Sequence, residues 1–441
     1  MADMACANIT KQNIAHEVQM DKKIKVFTLS DMPLSPSGVG TQTRYICEAL
    51  LKSGKFEIRS FGGAIKHPTH EPIKTEQYGN DWIIYPTDGF GNKEMVRSLI
   101  RQEKPDILWF MTDPRFWGWL WEMENEIRPL MPMVYYHVWD NYPYPTYNQA
   151  SYESNDFIAT ISKVTDDIVK TVAPTVKSQY VPHAVNSKIF KPSEDENNLN
   201  EIKKKILGNY YEPDKFIFFW NNRNARRKQS GSLIFWFNEF LKKVGKDKAC
   251  LIMHTTVKDP NGQDLQAIIE HLGLTNGEVL FSEKKINLTE LGMLYNVADC
   301  TINISDAEGF GLATLESLSC GTPIIVNMTG GLQEQVKNDT EEFGIPLYPA
   351  SRAIIGSQQI PWIYEDRLNC DDVVNALQKM YNLSNEERKK MGEKGRQHVM
   401  KNYNFENFNK TWVDLMTKIH DEEGSWGTRK YTKRWSIKEV V

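Results

Sequence analysis

The sequence predicts an α/β protein of two doubly wound parallel sheets in tandem, and three observations predict it. Short apolar runs alternate with helix-length amphipathic segments from residue 24 onward. Glycines recur where those runs end, as in Ser37-Gly38-Val39-Gly40, Gly309-Phe310-Gly311 and Gly330-Gly331. The series restarts after Lys191-Pro192-Ser193-Glu194-Asp195-Glu196-Asn197-Asn198, a polar, acidic stretch suited to a linker.

Taken in order, 24–29 reads as a buried strand and 41–53 as the helix after it, with Tyr45, Ile46, Ala49 and Leu50 on one face and Gly54 as its stop. Strands are expected next at 57–61, 82–85, 106–111, 133–138 and 157–161, with a helix over 93–104. The second series places strands at 215–220, 249–254, 279–282, 300–304 and 323–327, separated by helices at about 232–243, 265–272, 288–297 and 313–319. The resulting division is an N-terminal extension over 1–22, a first domain over 23–195 and a second over 196–404. A C-terminal helix and basic tail over 405–441 are able to cross back to the first domain. Doubly wound sheets hold ligands beyond the carboxyl ends of their strands, so two of them facing each other make a cleft.

Composition narrows the chemistry. The 441 residues carry 53 Lys and Arg against 57 Asp and Glu, a net charge of −4 that argues against bulk nucleic-acid binding. Six cysteines (Cys6, Cys47, Cys250, Cys300, Cys320, Cys370) lack the close pairs of a zinc or dithiol site, so no metal is expected. Residues 1–20 lack the apolar stretch of a leader, and nowhere do about 18 apolar residues run together, so a cytoplasmic chain without a membrane span is expected. Triplets such as Asn8-Ile9-Thr10 and Asn287-Leu288-Thr289 then carry no glycosylation signal.

Three loops concentrate the functional residue types. In the first, a dinucleotide fingerprint would require glycine where Thr43 stands; Gly38 and Gly40 leave either a structural turn or an anion or sugar site at a helix N-terminus. No Gly-x4-Gly-Lys-Ser/Thr loop and no His-Glu-x-x-His motif occurs. In the second, Arg223, Arg226, Arg227 and Lys228 follow the run Phe216 to Phe219 and suit a diphosphate, the alternative being a solvated basic loop. In the third, Asp306-Ala307-Glu308-Gly309-Phe310-Gly311 turns into a helix that carries Glu316. Two carboxylates facing one cleft fit hydroxyl-rich ligands, and the helix N-terminus adds amides for a phosphate.

This last segment, two glutamates with seven residues between them and followed by Ser317-Leu318-Ser319-Cys320-Gly321-Thr322-Pro323, resembles the signature of the retaining GT-B glycosyltransferases of family 4 (glycosyl transferases group 1). Ser37-Gly38-Val39-Gly40, Tyr136-His137-Val138-Trp139-Asp140, Val181-Pro182-His183-Ala184, the Arg223/Lys228 pair and Thr329-Gly330-Gly331 extend the resemblance over about residues 24–415. It implies the GT-B fold, two Rossmann-like domains facing across a cleft. It also implies transfer of a sugar from a nucleotide diphosphate donor, UDP- or GDP-linked, to an acceptor hydroxyl, with retention and without a metal or other cofactor. Arg223 and Lys228 would neutralise the diphosphate and Glu316 would bind the ribose. Glu308, with backbone near Gly309, Phe310 and Gly311, would hold the donor sugar. His137 would lie beside the transferred sugar, and Gly38 and Gly40 would admit donor or acceptor.

The sequence departs from the family at Asn222 and at Gln229, both common glycine positions, and at His183, often Asn. Alternatives are a non-catalytic binder of sugar nucleotides or glycans, a sugar-nucleotide epimerase, and a transferase acting on nucleic acid. The last would draw on the tail Arg429-Lys430-Tyr431-Thr432-Lys433-Arg434-Trp435, whose cations and aromatics suit a nucleic acid or anionic surface; folding back over the first domain is the simpler expectation. Phe116-Trp117-Gly118-Trp119-Leu120-Trp121 reads as packing, with sugar stacking or a membrane interface as alternatives.

Overall fold

The protein is described here by a computed structural model covering residues 22–431. The leader and Asn8 expectations, Cys6, and the tail from Thr432 to Trp435 lie outside the described residues. The first sheet has eight strands: β1 (Ile24–Asp31), β2 (Phe56–Gly63), β3 (Ile73–Lys74), β4 (Trp82–Pro86), β5 (Ile107–Met111), β6 (Met133–His137), β7 (Phe157–Thr160) and β8 (Lys177–Tyr180). Their order is β3-β4-β2-β1-β5-β6-β7-β8, parallel throughout except for β3. The second has β9 (Phe216–Asn221), β10 (Ala249–His254), β11 (Val279–Ser282), β12 (Cys300–Asn303), β13 (Ile324–Asn327) and β14 (Gly344–Leu347), all parallel in the order β11-β10-β9-β12-β13-β14. The α/β class read from the sequence is the class observed.

Parallel strands covered by helices on both faces bury successive side chains on opposite sides. Trp109, Val134 and Tyr136 point to one core and Phe110 and Tyr135 to the other, where Trp117 and Trp121 join them. The tryptophan-rich segment packs in part: Trp117 is fully buried against Phe90 and Phe110, while Phe116 is exposed. The Phe405–Glu423 helix lies on the first sheet's side, with Phe405 against Tyr45 (ring centroids 4.6 Å apart) and Trp412 between Trp109 and Tyr136 (6.1 and 4.9 Å). Beyond it the chain stays on this lobe: buried Arg429 pairs with Asp156 (2.8 Å) and Glu423 (3.1 Å).

Two features escaped periodicity. The first helix starts at Gly38 rather than Thr41, because the Ser37 hydroxyl accepts from the Gly40 amide (2.9 Å) and caps it. After β14, β15 (Ser351–Ile355) and β16 (Ile363–Arg367) form an antiparallel hairpin outside both main sheets. Its strands lack clean alternation, since they pack on loops rather than on a sheet face. Among the described residues no helix is long and apolar enough to cross a membrane.

Candidate functional site

The carboxyl ends of β9 and β12 meet those of β1, β5 and β6 across a cleft of about 630 Å³. A second cavity of about 340 Å³ continues from it through the shared walls Gly38, Asn221, Leu312 and Ala313 and contains Glu316, His254 and Lys285. Gly38 sits at a close approach of the lobes, where a Cβ would come within 3.2 Å of the Leu312 side chain. The amino ends of the Gly38–Lys52 and Leu312–Ser319 helices therefore converge on the same cleft, bringing unpaired amides and two positive dipole ends.

Glu308 is the centre of the second-lobe wall. Lys228 pairs with its Oε2, and Asn303 Nδ2 (3.2 Å) and the Ser305 hydroxyl (3.5 Å) also reach Oε2. Among the described residues no donor reaches Oε1, which is left to the cleft. Burial pushes the Glu308 carboxyl up, but the Lys228 and Arg227 charges and the hydrogen bonds outweigh it and bring it down to about 2. The carboxylate is thus ionised at every working pH. Burial lowers the Lys228 ammonium to about 8, against the pull of Glu308. We hold the pair to be ionised at neutral pH, since an isolated buried charge on either side would cost far more.

The remaining cations of the loop are each tethered. Arg223, largely exposed, forks onto Asp259 (2.8 and 3.1 Å); Arg226 pairs with Glu365 on β16; Arg227 donates to the Ala307 carbonyl (2.5 Å). Gln229 keeps a left-handed conformation (φ +56°) and is anchored to the Asp306 carboxylate (2.6 Å) and by the Ser232 hydroxyl (2.6 Å). Asn222 lines the cleft with a buried Nδ2 donor that has no partner. Such an orphan donor is expensive unless a ligand acceptor meets it.

Glu316 accepts from the Tyr295 hydroxyl (2.8 Å), itself bonded by Asn221 (2.8 Å), and burial raises its carboxyl to about 7. Gly311, left-handed at φ +91°, opens the helix carrying it. Gly309 and Phe310 line the cleft, and Phe310 packs on His183 (5.1 Å) and Tyr403 (5.7 Å). Gly331 explains the late glycine pair: a Cβ there would fall 2.6 Å from the Phe310 Cα and 2.7 Å from the Gly309 carbonyl.

Two expectations are corrected. His137 does not reach the cleft. On β6, Tyr136 faces the Trp412 side, so His137 must face the other, where it is fully buried and its Nε2 meets the Tyr152 hydroxyl (2.7 Å). Burial holds its imidazole down at about 3, a neutral ring. The cleft is instead lined by Val138, Trp139 and Asp140, and by His183, whose Nδ1 meets the Tyr136 hydroxyl (2.9 Å). Gly40 also lies off the cleft. It is a packing glycine, whose Cβ would sit 2.6 Å from both the Met32 carbonyl and the Ser35 hydroxyl.

Sequence reasoning gave no role to Asp140, whose carboxyl burial raises to about 6, and missed the Asp113–Arg115 pair (2.8 Å) at the end of β5. Thr112, just before the pair, holds a positive φ of 122°, strain of the sort that collects at working sites. Thr112, Asp113 and Arg115 stand in no recognisable motif; only the end of the strand collects them.

Residues 201–398, within the second lobe, match the glycosyl transferases group 1 family. A D-inositol 3-phosphate glycosyltransferase of Paenarthrobacter aurescens is 28% identical over 167 residues, 36% of this chain and 36% of that protein. The matched stretches span between 17% and 36% of the curated relatives' own lengths. The fold is similar end to end to that of sucrose-phosphate synthase from Thermosynechococcus elongatus, with a TM-score of 0.71 at 16% identity over 91% of this chain and 100% of that one. HepE from Anabaena, solved with UDP and glucose, gives 0.66 at 13% identity over 90% and 100%. The architecture is GT-B.

Proposed function

We propose that this chain is a retaining, metal-independent glycosyltransferase of family 4 that moves a sugar from a nucleoside diphosphate donor, UDP- or GDP-linked, to an acceptor hydroxyl. The observation that carries the reading is the alignment of Glu316, the Arg223–Lys228 loop and Glu308 along one continuous cleft facing the first lobe. In that order they suit a ribose, a diphosphate and a hexose.

Chemically, the acceptor oxygen bonds to the anomeric carbon on the face from which the diphosphate oxygen leaves, and the acceptor proton passes to that leaving oxygen. The chain's task is electrostatic. Lys228, Arg227 and the amides at Gly311 and Leu312 meet charge growing on the leaving diphosphate, and Asn222 Nδ2 adds a preformed donor. The free Glu308 Oε1 accepts from a sugar hydroxyl and orients the ring. His137 has no part in this scheme.

The test is a screen of nucleotide sugars without added metal, following the melting temperature and released nucleotide. Stabilisation by one donor identifies base and sugar together, because a ligand bound only to the native state raises its stability. Glu308→Gln should abolish turnover in a folded protein, and transfer should persist in chelator. Unchanged turnover in the variant, or a strict need for a divalent ion, overturns the scheme.

A further inference from the structure

The β15–β16 hairpin belongs to the second lobe's chain but is fastened to the first. The Tyr364 amide donates to the Tyr142 carbonyl (2.7 Å), Asn141 Nδ2 to the Tyr364 carbonyl (2.7 Å), and the Tyr147 hydroxyl to the Trp362 carbonyl (2.9 Å). Its base is tied to the donor loops: Glu365 holds Arg226, and the Asp366 amide donates to the Asp306 carbonyl (2.9 Å). The hairpin thus straps both lobes together beside the cleft.

Under its turn lies a separate cavity of about 230 Å³ that shares Arg115 and Trp139 with the main cleft. Its other walls include Trp121, Asn148, Ser151 and, from the hairpin, Gln359. Among the described residues, no hydrogen bond uses the Gln359 amide, the Ser151 hydroxyl or the Asn148 side-chain carbonyl. Two indoles beside a rim of unspent amide and hydroxyl groups match a pyranose, which presents carbon-bound hydrogens on its faces and hydroxyls on its edge. The space accommodates one ring and little more.

We propose that this cavity is a second acceptor subsite, so that the acceptor is a glycan of at least two sugar units, one in the main cleft facing the donor sugar held by Glu308 and the next under the hairpin. The inference rests on the transferase reading for the placement of the first unit. It adds the substrate class and the element that selects it, since removing the hairpin would open the second subsite to solvent.

Binding distinguishes the two readings without requiring turnover. The full chain, with UDP or with GDP present, is titrated calorimetrically with methyl glycosides of glucose, mannose and galactose and with methyl glycosides of the matching disaccharides. One disaccharide should bind at least about tenfold more tightly than its monosaccharide, the gain expected of a second well-fitted ring. Gln359→Trp, at an exposed turn that folding tolerates, should bring that ratio to within about twofold of one by filling the cavity. Ser151→Trp, from the opposite wall, should do the same. Equal affinity for both lengths, no binding of either, or a length preference unaffected by both variants overturns the proposal. Length-dependent binding in a protein that consumes no nucleotide sugar upholds the subsite and overturns the transferase reading instead.

Discussion

Lys228 and Glu308, eighty residues apart in sequence, form an ion pair inside the cleft, with Asn303 and Ser305 bonding the same carboxylate oxygen. Both side chains are nearly closed to solvent, at 8% and 12% exposure, so neither charge is tolerable alone. Lys228→Met should therefore destabilise the fold by about 3–5 kcal/mol, the usual cost of stranding a buried charge. The double variant Lys228→Met with Glu308→Gln should regain much of that, because no uncompensated charge remains, while turnover stays lost. Urea unfolding of the wild type, both single variants and the double variant measures the coupling. Additive losses would mean the pair is already separated in solution.

The pH dependence of stability should carry the mark of Glu316. Its folded carboxyl stands at about 7 against an ordinary value of 4.5, so the folded state holds a proton that the unfolded chain has released. The stabilisation is fully present below pH 4.5 and disappears as pH rises through about 7. At 1.36 kcal/mol per unit the loss reaches about 3 kcal/mol. Glu316→Gln, neutral throughout, should match the wild type at pH 4.5, exceed its stability at pH 8.5, and bind donor more weakly at both. A variant whose stability follows the wild-type pH profile would show that the carboxyl titrates normally.

His137→Phe separates positioning by motif from positioning by strand. The substitution removes the bond to the Tyr152 hydroxyl, to which Asn148 Nδ2 remains near at 3.4 Å, and should cost about 1–3 kcal/mol of stability. Because the ring lies outside the cleft, kcat should stay within about tenfold of wild type. A loss of a thousandfold in a folded protein, seen with unchanged thermal unfolding, would return His137 to the reacting centre.

What was legible in the sequence follows from which physical signals are local. Strands such as Ala249–His254 and Val279–Ser282 and helices such as Leu265–Leu272 and Leu288–Val297 announce themselves through apolar runs and caps, and their bounds were readable to the residue. The loops around Arg223 and Glu308 were readable because charged groups and glycines cluster at strand ends. His137 was misread because the parity of a strand residue is set by register, not by motif, and a single position decides cleft or core. Gly40 was misread for a related reason: a glycine demanded by a carbonyl two turns away looks the same as one that admits a ligand. Asp140, the Asp113–Arg115 pair and the hairpin carry no periodic signal, and only the closure of two lobes gives them a place.

Gln229 offers the sharpest test of how this loop is held. At φ +56° a side chain costs on the order of 1 kcal/mol relative to glycine, and here the amide recovers it by bonding Asp306 (2.6 Å) and accepting from Ser232 (2.6 Å). Gln229→Ala keeps the strain and loses both bonds, so it should destabilise by about 1–2 kcal/mol. Gln229→Gly loses the bonds but relieves the strain, so its stability should fall close to wild type. Both free the Asp306 carboxyl, which burial raises to about 6, from its nearest donor. Both also loosen the residue next to Lys228. Turnover should therefore drop similarly in the two variants although their stabilities differ. If glycine instead restored full turnover, the backbone conformation alone would position Lys228 and the Asp306 anchor would be dispensable.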